Sequence, residues 1–416
     1  MPKTLSISLS PNTEKEDIRQ ALSLIFQPLK WKRGGAAERL EEKMKGYLGK
    51  SCAISFNSGR SSFLAILESL DLKEGDEVLL QSLTCNAAVN PIIWAGLKPV
   101  FIDCKKDTFN IDPKDIERKI TAKSRVLVVQ HTFGLPADME KIQEISSRNN
   151  LILIEDCAHS LGAEYKGQKT GTFGKAAFFS FSRDKVISSV YGGMAITDDG
   201  SLAKRIREYR GKIKQPSSCW ILQQLFHPVL FNYIVLPTYG LGFGKGFLLL
   251  CQWLRFLSKA VHWKEKRGEK PSYFPKKMPN ALALLALKQF AKLGRFNDHR
   301  KKTADMYYKL LKDSSLELPF VPEQRDSVFL RFTVKSPKAH EIIKKAWKRN
   351  ILLGDWYTSP IAPDDTQLDK VGYEKGSCPK AEDLSKTMLN LPTHINIKEK
   401  EVMIIINFLK ENNLLK

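Results

Sequence analysis

Leu151-Ile-Leu-Ile-Glu-Asp156 and Ala176-Ala-Phe-Phe-Ser-Phe-Ser-Arg-Asp-Lys185 are the two stretches that decide how this chain folds. Each is a short apolar run that ends on polar or charged side chains. Such a run reads as a strand covered on both faces, as in a mainly parallel sheet sandwiched by helices. Similar runs lie on either side, at Cys52–Asn57, Glu77–Leu83, Pro99–Asp103, Arg125–His131 and Gly193–Thr197. Amphipathic stretches separate several of them: Ser61–Leu70, Asn86–Ala95, Asp138–Arg148 and Leu202–Arg210. The alternation predicts an α/β domain with a mainly parallel central sheet flanked by helices. Ligands of such sheets bind at the carboxyl ends of the strands. The loops to inspect therefore begin near Asn57, Gln81, His131, Asp156 and Ser180.

Beyond residue 213 the pattern changes. Residues 216–244 hold no charged side chain when His227 is neutral, and a second apolar burst, Gly246–Leu254, follows Lys245. Basic residues flank the whole: Lys212 and Lys214 before it, Arg255, Lys259, Lys264, Lys266 and Arg267 after it. Helical periodicity returns through Ala281–Leu293 and Lys301–Lys312. Asp326–Lys335 then reads as a strand, and Ala339–Asn350 and Glu399–Asn412 as helices. Three units are expected: an N-terminal arm with a large domain over 1–213, an apolar helical insertion over 214–270, and a smaller C-terminal α/β domain over 271–416.

The 416 residues suffice for two cores, and 43% hydrophobic with 27% charged residues is ordinary for a globular chain. Seven cysteines lie scattered without a Cys-x-x-Cys pair, a pattern of reduced thiols that supports no metal site. The opening Met-Pro-Lys-Thr-Leu-Ser lacks the apolar run of a secretory signal, so a cytoplasmic location is expected. A net charge of +21 suits anionic membranes, phosphorylated substrates or nucleic acid. No basic–aromatic binding module accompanies it, so nucleic acid is not expected as a partner.

At the strand ends stand an amine, a carboxylate and a turn fit for phosphate. A cofactor with an aldehyde, a pyridine ring and a phosphate needs these three. Lys185 would meet the aldehyde. An ionised Asp156 would keep a pyridinium protonated, each charge favouring the other. Asn57-Ser-Gly-Arg-Ser-Ser62 runs from a strand into a helix whose first amides are unpaired, a natural phosphate seat. Ser180 adds a hydroxyl beside the lysine strand. Singly, each residue has a plain structural reading; in order and at compatible spacing they point to one site.

Taken together, the blocks resemble the DegT/DnrJ/StrS family of nucleotide-sugar aminotransferases, enzymes of the aspartate aminotransferase fold that use pyridoxal phosphate. The resemblance rests on Ile154-Glu-Asp-Cys-Ala-His-Ser, Phe179-Ser-Phe-Ser-Arg-Asp-Lys, His131-Thr-Phe-Gly-Leu-Pro, Phe56-Asn-Ser-Gly-Arg-Ser-Ser, Gly192-Gly-Met-Ala-Ile-Thr and Leu391-Pro-Thr-His. It implies that Lys185, Asp156 and His159 are catalytic. Lys185 would carry the cofactor covalently and then move protons, Asp156 would pair with the ring nitrogen, and His159 would contact the ring. It also implies that Ser58, Gly59, Arg60, Ser61 and Ser180 hold the phosphate end. The implied reaction takes an amino group from glutamate or glutamine and gives it to a keto-sugar joined to a nucleoside diphosphate, in surface polysaccharide or glycoconjugate synthesis. A homodimer with sites at the subunit interface is implied too.

The chain departs from the family pattern at three places. Cys85 occupies the cofactor-binding position usually filled by an aromatic residue that stacks on the ring. Tyr191 precedes Gly-Gly where an acidic residue is usual. Pro275-Lys-Lys-Met278 replaces an Asn-x-Arg-Met stretch, and Arg and Lys are not equivalent for phosphate. Lys185 is retained, which disfavours the dehydratase branch. Two other readings fit parts of the pattern: a different pyridoxal phosphate reaction, and a catalytically reduced scaffold at a membrane. For the insertion, the expectation is a hairpin over 216–263 seated on the anionic inner face of a membrane. Pro228, Pro237 and the glycines at 240, 242, 244 and 246 are expected to cut it into pieces too short to span.

Overall fold

The computed structural model describes residues 4–8, 11–254 and 256–415; Arg255 of the basic flank lies outside them. All seven apolar runs of the first half are strands of one sheet: β1 Cys52–Phe56, β2 Glu77–Gln81, β3 Lys98–Ile102, β4 Ser124–Gln130, β5 Ile152–Asp156, β6 Ala176–Ser180 and β7 Gly193–Thr197. Their spatial order is β1-β7-β6-β5-β4-β2-β3. Every neighbour pair is parallel except those made by β7, which runs antiparallel to β6 and β1. This is the expected mainly parallel sheet.

The sheet is covered on both faces, which is why its strands read as continuous apolar runs. Ala176 and Phe178 join one core with Phe63, Leu202 and Ile206 from helices. Ala177 and Phe179 point the other way, into a core with Leu40, Met44 and Leu282. The alternation is the two-residue period of a strand. Helix α1, Gly59–Leu67, follows β1 directly, and all nine of its residues are buried.

The C-terminal unit centres on a short antiparallel pair, Phe332–Lys335 with Met388–Leu391. The helices Ala339–Lys348, Glu399–Glu411 and Leu293–Leu311 close a core there around Tyr307, Phe332, Val402 and Leu409. The strand expected over Asp326–Lys335 is two pieces: Arg325–Asp326 pairs with Tyr165 and Glu164 in a separate three-stranded sheet, and only Phe332–Lys335 lies in this pair. Near the N-terminus, Leu5–Ser6 pairs with Ile351–Leu352. Helix Asn280–Phe290 packs on helix Ala36–Leu48.

The insertion is a helical hairpin, and here one expectation is corrected. The prolines do not break its first limb: Ser218–Leu241 is one helical run of 24 residues, long and apolar enough to cross a membrane by length and composition. A proline removes a single backbone donor, and a π-turn over Phe231–Val235 absorbs the mismatch after Pro228. Pro237 falls in the first turn of the next segment, where its missing donor is tolerated. The run stops at Gly242, whose φ of +80° favours glycine, and Phe243–Trp253 returns. Phe231, Val235, Cys251 and Leu257 form a small core between the limbs. At its base Ile221 and Leu225 share a core with Ala21 and Leu24 of the N-terminal helix Lys15–Ile25.

Candidate active site

A cavity of about 370 Å³ opens at the carboxyl ends of the strands. Its floor comes from β5 and β6. Register sets Phe178 beside Asp156, and the turn that follows β6 brings Lys185 to the same cavity. Asp156 is buried; its Oδ1 accepts the Ala158 amide at 2.9 Å. Burial raises its carboxyl, while Lys185 nearby pulls it back down. Lys185 is driven down to about 8, first by burial, against the opposing charges of Asp156 and Asp184. The low-dielectric surroundings disfavour both charges, and a cationic ring at Asp156 would relieve one of them.

The turn Ser58–Ser62 sits at the end of β1. Ser58 Oγ accepts the Ser61 amide at 3.1 Å, and Ser61 Oγ donates to Asn57 Oδ1 at 2.7 Å. The amides of Gly59 and Arg60, the first two of α1, donate to no acceptor among the described residues. A Cβ at Gly59 would stand 2.9 Å from Ser180 Cβ, and one at Gly193 would stand 2.4 Å from Gly59 N. Only glycine permits this approach, which brings the free amides beside the Ser180 hydroxyl. Free amides, a hydroxyl, a buried carboxylate and a lysine that sheds its proton readily therefore suit the phosphate, ring nitrogen and aldehyde of pyridoxal phosphate.

His159 is buried and its Nδ1 accepts the Phe133 amide at 3.3 Å, which leaves the proton on Nε2, 3.4 Å from Tyr357 Oη. Burial, aided by Lys185 and Arg331, holds its pKa well below the usual range, so it is neutral at pH 7. Cys85 caps the helix Asn86–Trp94, its Sγ accepting the Ala87 amide at 3.5 Å, and lines the cavity. Burial raises its thiol, so it stays protonated.

Several residues at the cavity were not found from the sequence. Trp356 stacks on His159 at 5.4 Å, lies under Lys185 Nζ at 4.8 Å, and leads into Tyr357. These two aromatics line the cavity that Cys85 leaves without one. Arg331, 3.6 Å over the Trp356 ring, is buried. A charge inside the apolar run Val328–Val334 was its only sequence signal.

The wall opposite the floor is a strap, residues 257–267, at the end of the insertion. Glu265, fully buried, pairs with Arg60 at 2.5 Å. Its backbone carbonyl accepts Asn86 and Asn90 side chains at 3.2 and 2.9 Å. Arg183 donates to Ser258, and Tyr191 Oη donates to the Lys259 carbonyl at 3.0 Å. Ala260, Val261 and Lys266 face the cavity. The unusual Tyr191 is thus a ligand of the insertion. Pro275–Met278 lies against the phosphate turn: Asn57 N donates to the Lys276 carbonyl at 3.0 Å. His394 bonds the Ser6 carbonyl at 2.8 Å, tying the C-terminal unit to the N-terminal arm rather than lining the cavity.

One buried trio, His131, Glu155 and Cys157, brings potential metal-ligating atoms together. Its lone pairs are in use. Glu155 accepts the amides of Gly171, Phe173 and Gly174 and faces His131 Nε2, while His131 Nδ1 accepts Ala137 N.

A sequence model of the DegT/DnrJ/EryC1/StrS aminotransferase family matches residues 12–219 and 250–410. The chain is similar to a pleiotropic regulatory protein of Geobacillus stearothermophilus, 27% identical over 95% of this chain and 94% of that one. It is similar also to the GDP-perosamine synthase of Escherichia coli O157:H7, 27% identical over 96% and 95%. Among solved structures, the E. coli GDP-4-keto-6-deoxy-D-mannose-3-dehydratase with bound hydrated PLP shares the fold, with a TM-score of 0.75 at 18% identity over 98% and 100% of the chains. The family match lapses between 219 and 250, within the helical hairpin.

Proposed function

The chain belongs to the DegT/DnrJ/EryC1/StrS aminotransferase family, and from that premise we propose how its residues serve a pyridoxal phosphate-dependent amination of a nucleotide-linked keto-sugar. The observation that carries this reading is convergence: Lys185, Asp156 and the Gly59–Arg60 amides open onto one cavity. Glutamate or glutamine is the amino donor in this reading, and surface polysaccharide or glycoconjugate synthesis its setting.

When bound, pyridoxal phosphate supplies an aldehyde for amino groups and a ring that stores electrons. The chain supplies the rest. With its amine near 8, roughly one-tenth of Lys185 is neutral at pH 7, against well under a thousandth for an ordinary lysine. That neutral fraction reacts with a carbonyl and moves protons on and off the neighbouring carbon. Asp156 holds a proton on the ring nitrogen. The Gly59 and Arg60 amides with the Ser180 hydroxyl would seat the phosphate end, while Ser58 and Ser61, expected there too, spend their hydroxyls on each other and on Asn57 and brace the turn instead. His159 positions Tyr357, and the Trp356–Tyr357 pair excludes water from the reacting end.

Purified protein loaded with pyridoxal phosphate is expected to absorb in the visible, and the band is expected to shift on adding glutamate. A colourless protein that the cofactor cannot reconstitute favours the scaffold reading instead. The retained lysine supports amination over dehydration.

The finer reading places the hairpin on an anionic membrane surface and pairs two copies of the chain. Tyr233, Leu241, Phe243, Leu249, Leu250, Trp253 and Leu254 are all exposed on the hairpin, which carries Lys245 and is followed in sequence by Lys259 and Lys264. Exposed apolar side chains with basic residues within and beyond them in sequence suit a lipid interface of negative charge. Co-sedimentation with anionic liposomes, compared with a 216–263 deletion that keeps its fold, tests this; equal recovery in the supernatant refutes it. Light scattering reads the copy number.

A further inference from the structure

Arg183 is 8% exposed and lines the catalytic cavity. Its guanidinium lies 5.5 Å over the Tyr191 ring and donates to Ser258, and its buried Nε has no partner. No carboxylate among the described residues comes within ion-pair distance of it. Asp184, next in sequence, leans toward Arg331 instead, at 3.9 Å. A buried cation outside ion-pair contact is costly, and burial lowers the arginine from its usual range, offset only in part by Tyr191 and the more distant charge of Asp184. Arg60 makes the contrast: equally enclosed, it is neutralised by Glu265.

This charge, in no ion pair among the described residues, lines the same cavity as Gly59, Arg60 and Ser180 of the phosphate end. Tyr191, beneath it, is two residues from Gly193, whose Cα packs on the amide of Gly59. The charge of Arg60 reaches Arg183 as well. Free amides of Gly59 and Arg60, the Ser180 hydroxyl and an unpaired guanidinium therefore surround one space. An arginine fork is the side chain best shaped for phosphate oxygens.

We propose that Arg183, oriented by Ser258 of the strap, is the cationic anchor for a phosphate group in this cavity. The proposal rests on the cofactor and substrate reading above, which offers two sources of that chemistry: the phosphate of pyridoxal phosphate and the diphosphate of the sugar substrate. The insertion thereby has a part in the active site, because one of its side chains aims the residue that binds.

The full-length apo protein separates these cases when titrated with pyridoxal phosphate, with unphosphorylated pyridoxal, and with inorganic pyrophosphate. In R183Q we expect the affinity for a phosphorylated ligand to fall about ten- to a hundredfold, as for a lost charge-assisted contact. R183K should recover part of it, S258A should lose a few-fold, and pyridoxal binding should not change. A loss confined to pyridoxal phosphate assigns Arg183 to the cofactor; one confined to pyrophosphate assigns it to the substrate. Wild-type affinity of R183Q and S258A for both phosphorylated ligands overturns the proposal, as does an equal loss for pyridoxal, which marks a merely structural arginine. Should R183Q not fold, S258A and R183K decide by the same measurements. Failure of wild-type protein to take up pyridoxal at all would refute the Lys185 reading rather than this one.

Discussion

Asp156 ends a strand locked by backbone register and Lys185 sits in the turn that follows the neighbouring strand, whereas Arg60, Arg183 and Tyr191 are held by a strap through side chains and single carbonyls. Floor and wall of the cavity thus differ in kind. The floor's geometry belongs to the sheet and survives wherever the sheet forms. The wall's strap, 257–267, lies inside the family match but is carried at the end of a hairpin whose residues 220–249 lie outside it.

The comparison can be broken at the floor first. Lys185→Ala should abolish the visible band and slow the glutamate half-reaction by roughly a thousandfold or more; a surviving band refutes the assignment. Asp156→Asn should retain the band but lower the rate by about 10²- to 10³-fold, because a fixed charge at the ring is lost. Unchanged turnover would mean that the ring nitrogen lies elsewhere.

At the wall the largest effect is on stability. Glu265→Ala leaves Arg60 buried without its partner and should cost about 3–5 kcal/mol, read by denaturant unfolding. A loss below 1 kcal/mol would show that water reaches the pair. Lys185→Met tests the electrostatics of the floor by itself. The native lysine titrates near 8, the unfolded one near 10.4. Below pH 8 both states carry the proton and the native state bears the cost of the buried charge. Between about 8 and 10.4 only the unfolded chain keeps it, so wild-type apo protein gains stability as pH rises. The methionine variant should therefore be more stable by roughly 3 kcal/mol at pH 7, an advantage that fades across that window. A constant difference from pH 7 to 10.5 would contradict a lysine titrating near 8. Smallest is Trp253→Glu on the exposed hairpin: stability within about 0.5 kcal/mol of wild type, but weaker liposome binding. An unaltered partition would detach this face from the membrane.

The floor was legible in the sequence because a doubly covered strand has to be continuously apolar, and the first polar residue after it has to emerge at the sheet's carboxyl edge. Leu151–Asp156 and Ala176–Lys185 therefore announced both the sheet and the two residues at its rim. The turn at Asn57–Ser62 was readable for a similar local reason, since a strand, a glycine and a helix start leave free amides. The membrane-length helix was misjudged because prolines were counted as breaks, while the backbone absorbs them within one π-turn.

What sequence could not decide was every pairing across long separations. Arg60 meets Glu265, Arg183 meets Ser258, Tyr191 meets the carbonyl of Lys259, and Trp356 meets His159. None of these follows from periodicity, because a side-chain contact between distant segments depends on how whole elements dock. The sequence by itself determined the sheet, the lysine and its carboxylate. Only the tertiary structure decided what closes over them, and so which arginine of the cavity stands outside every ion pair among the described residues.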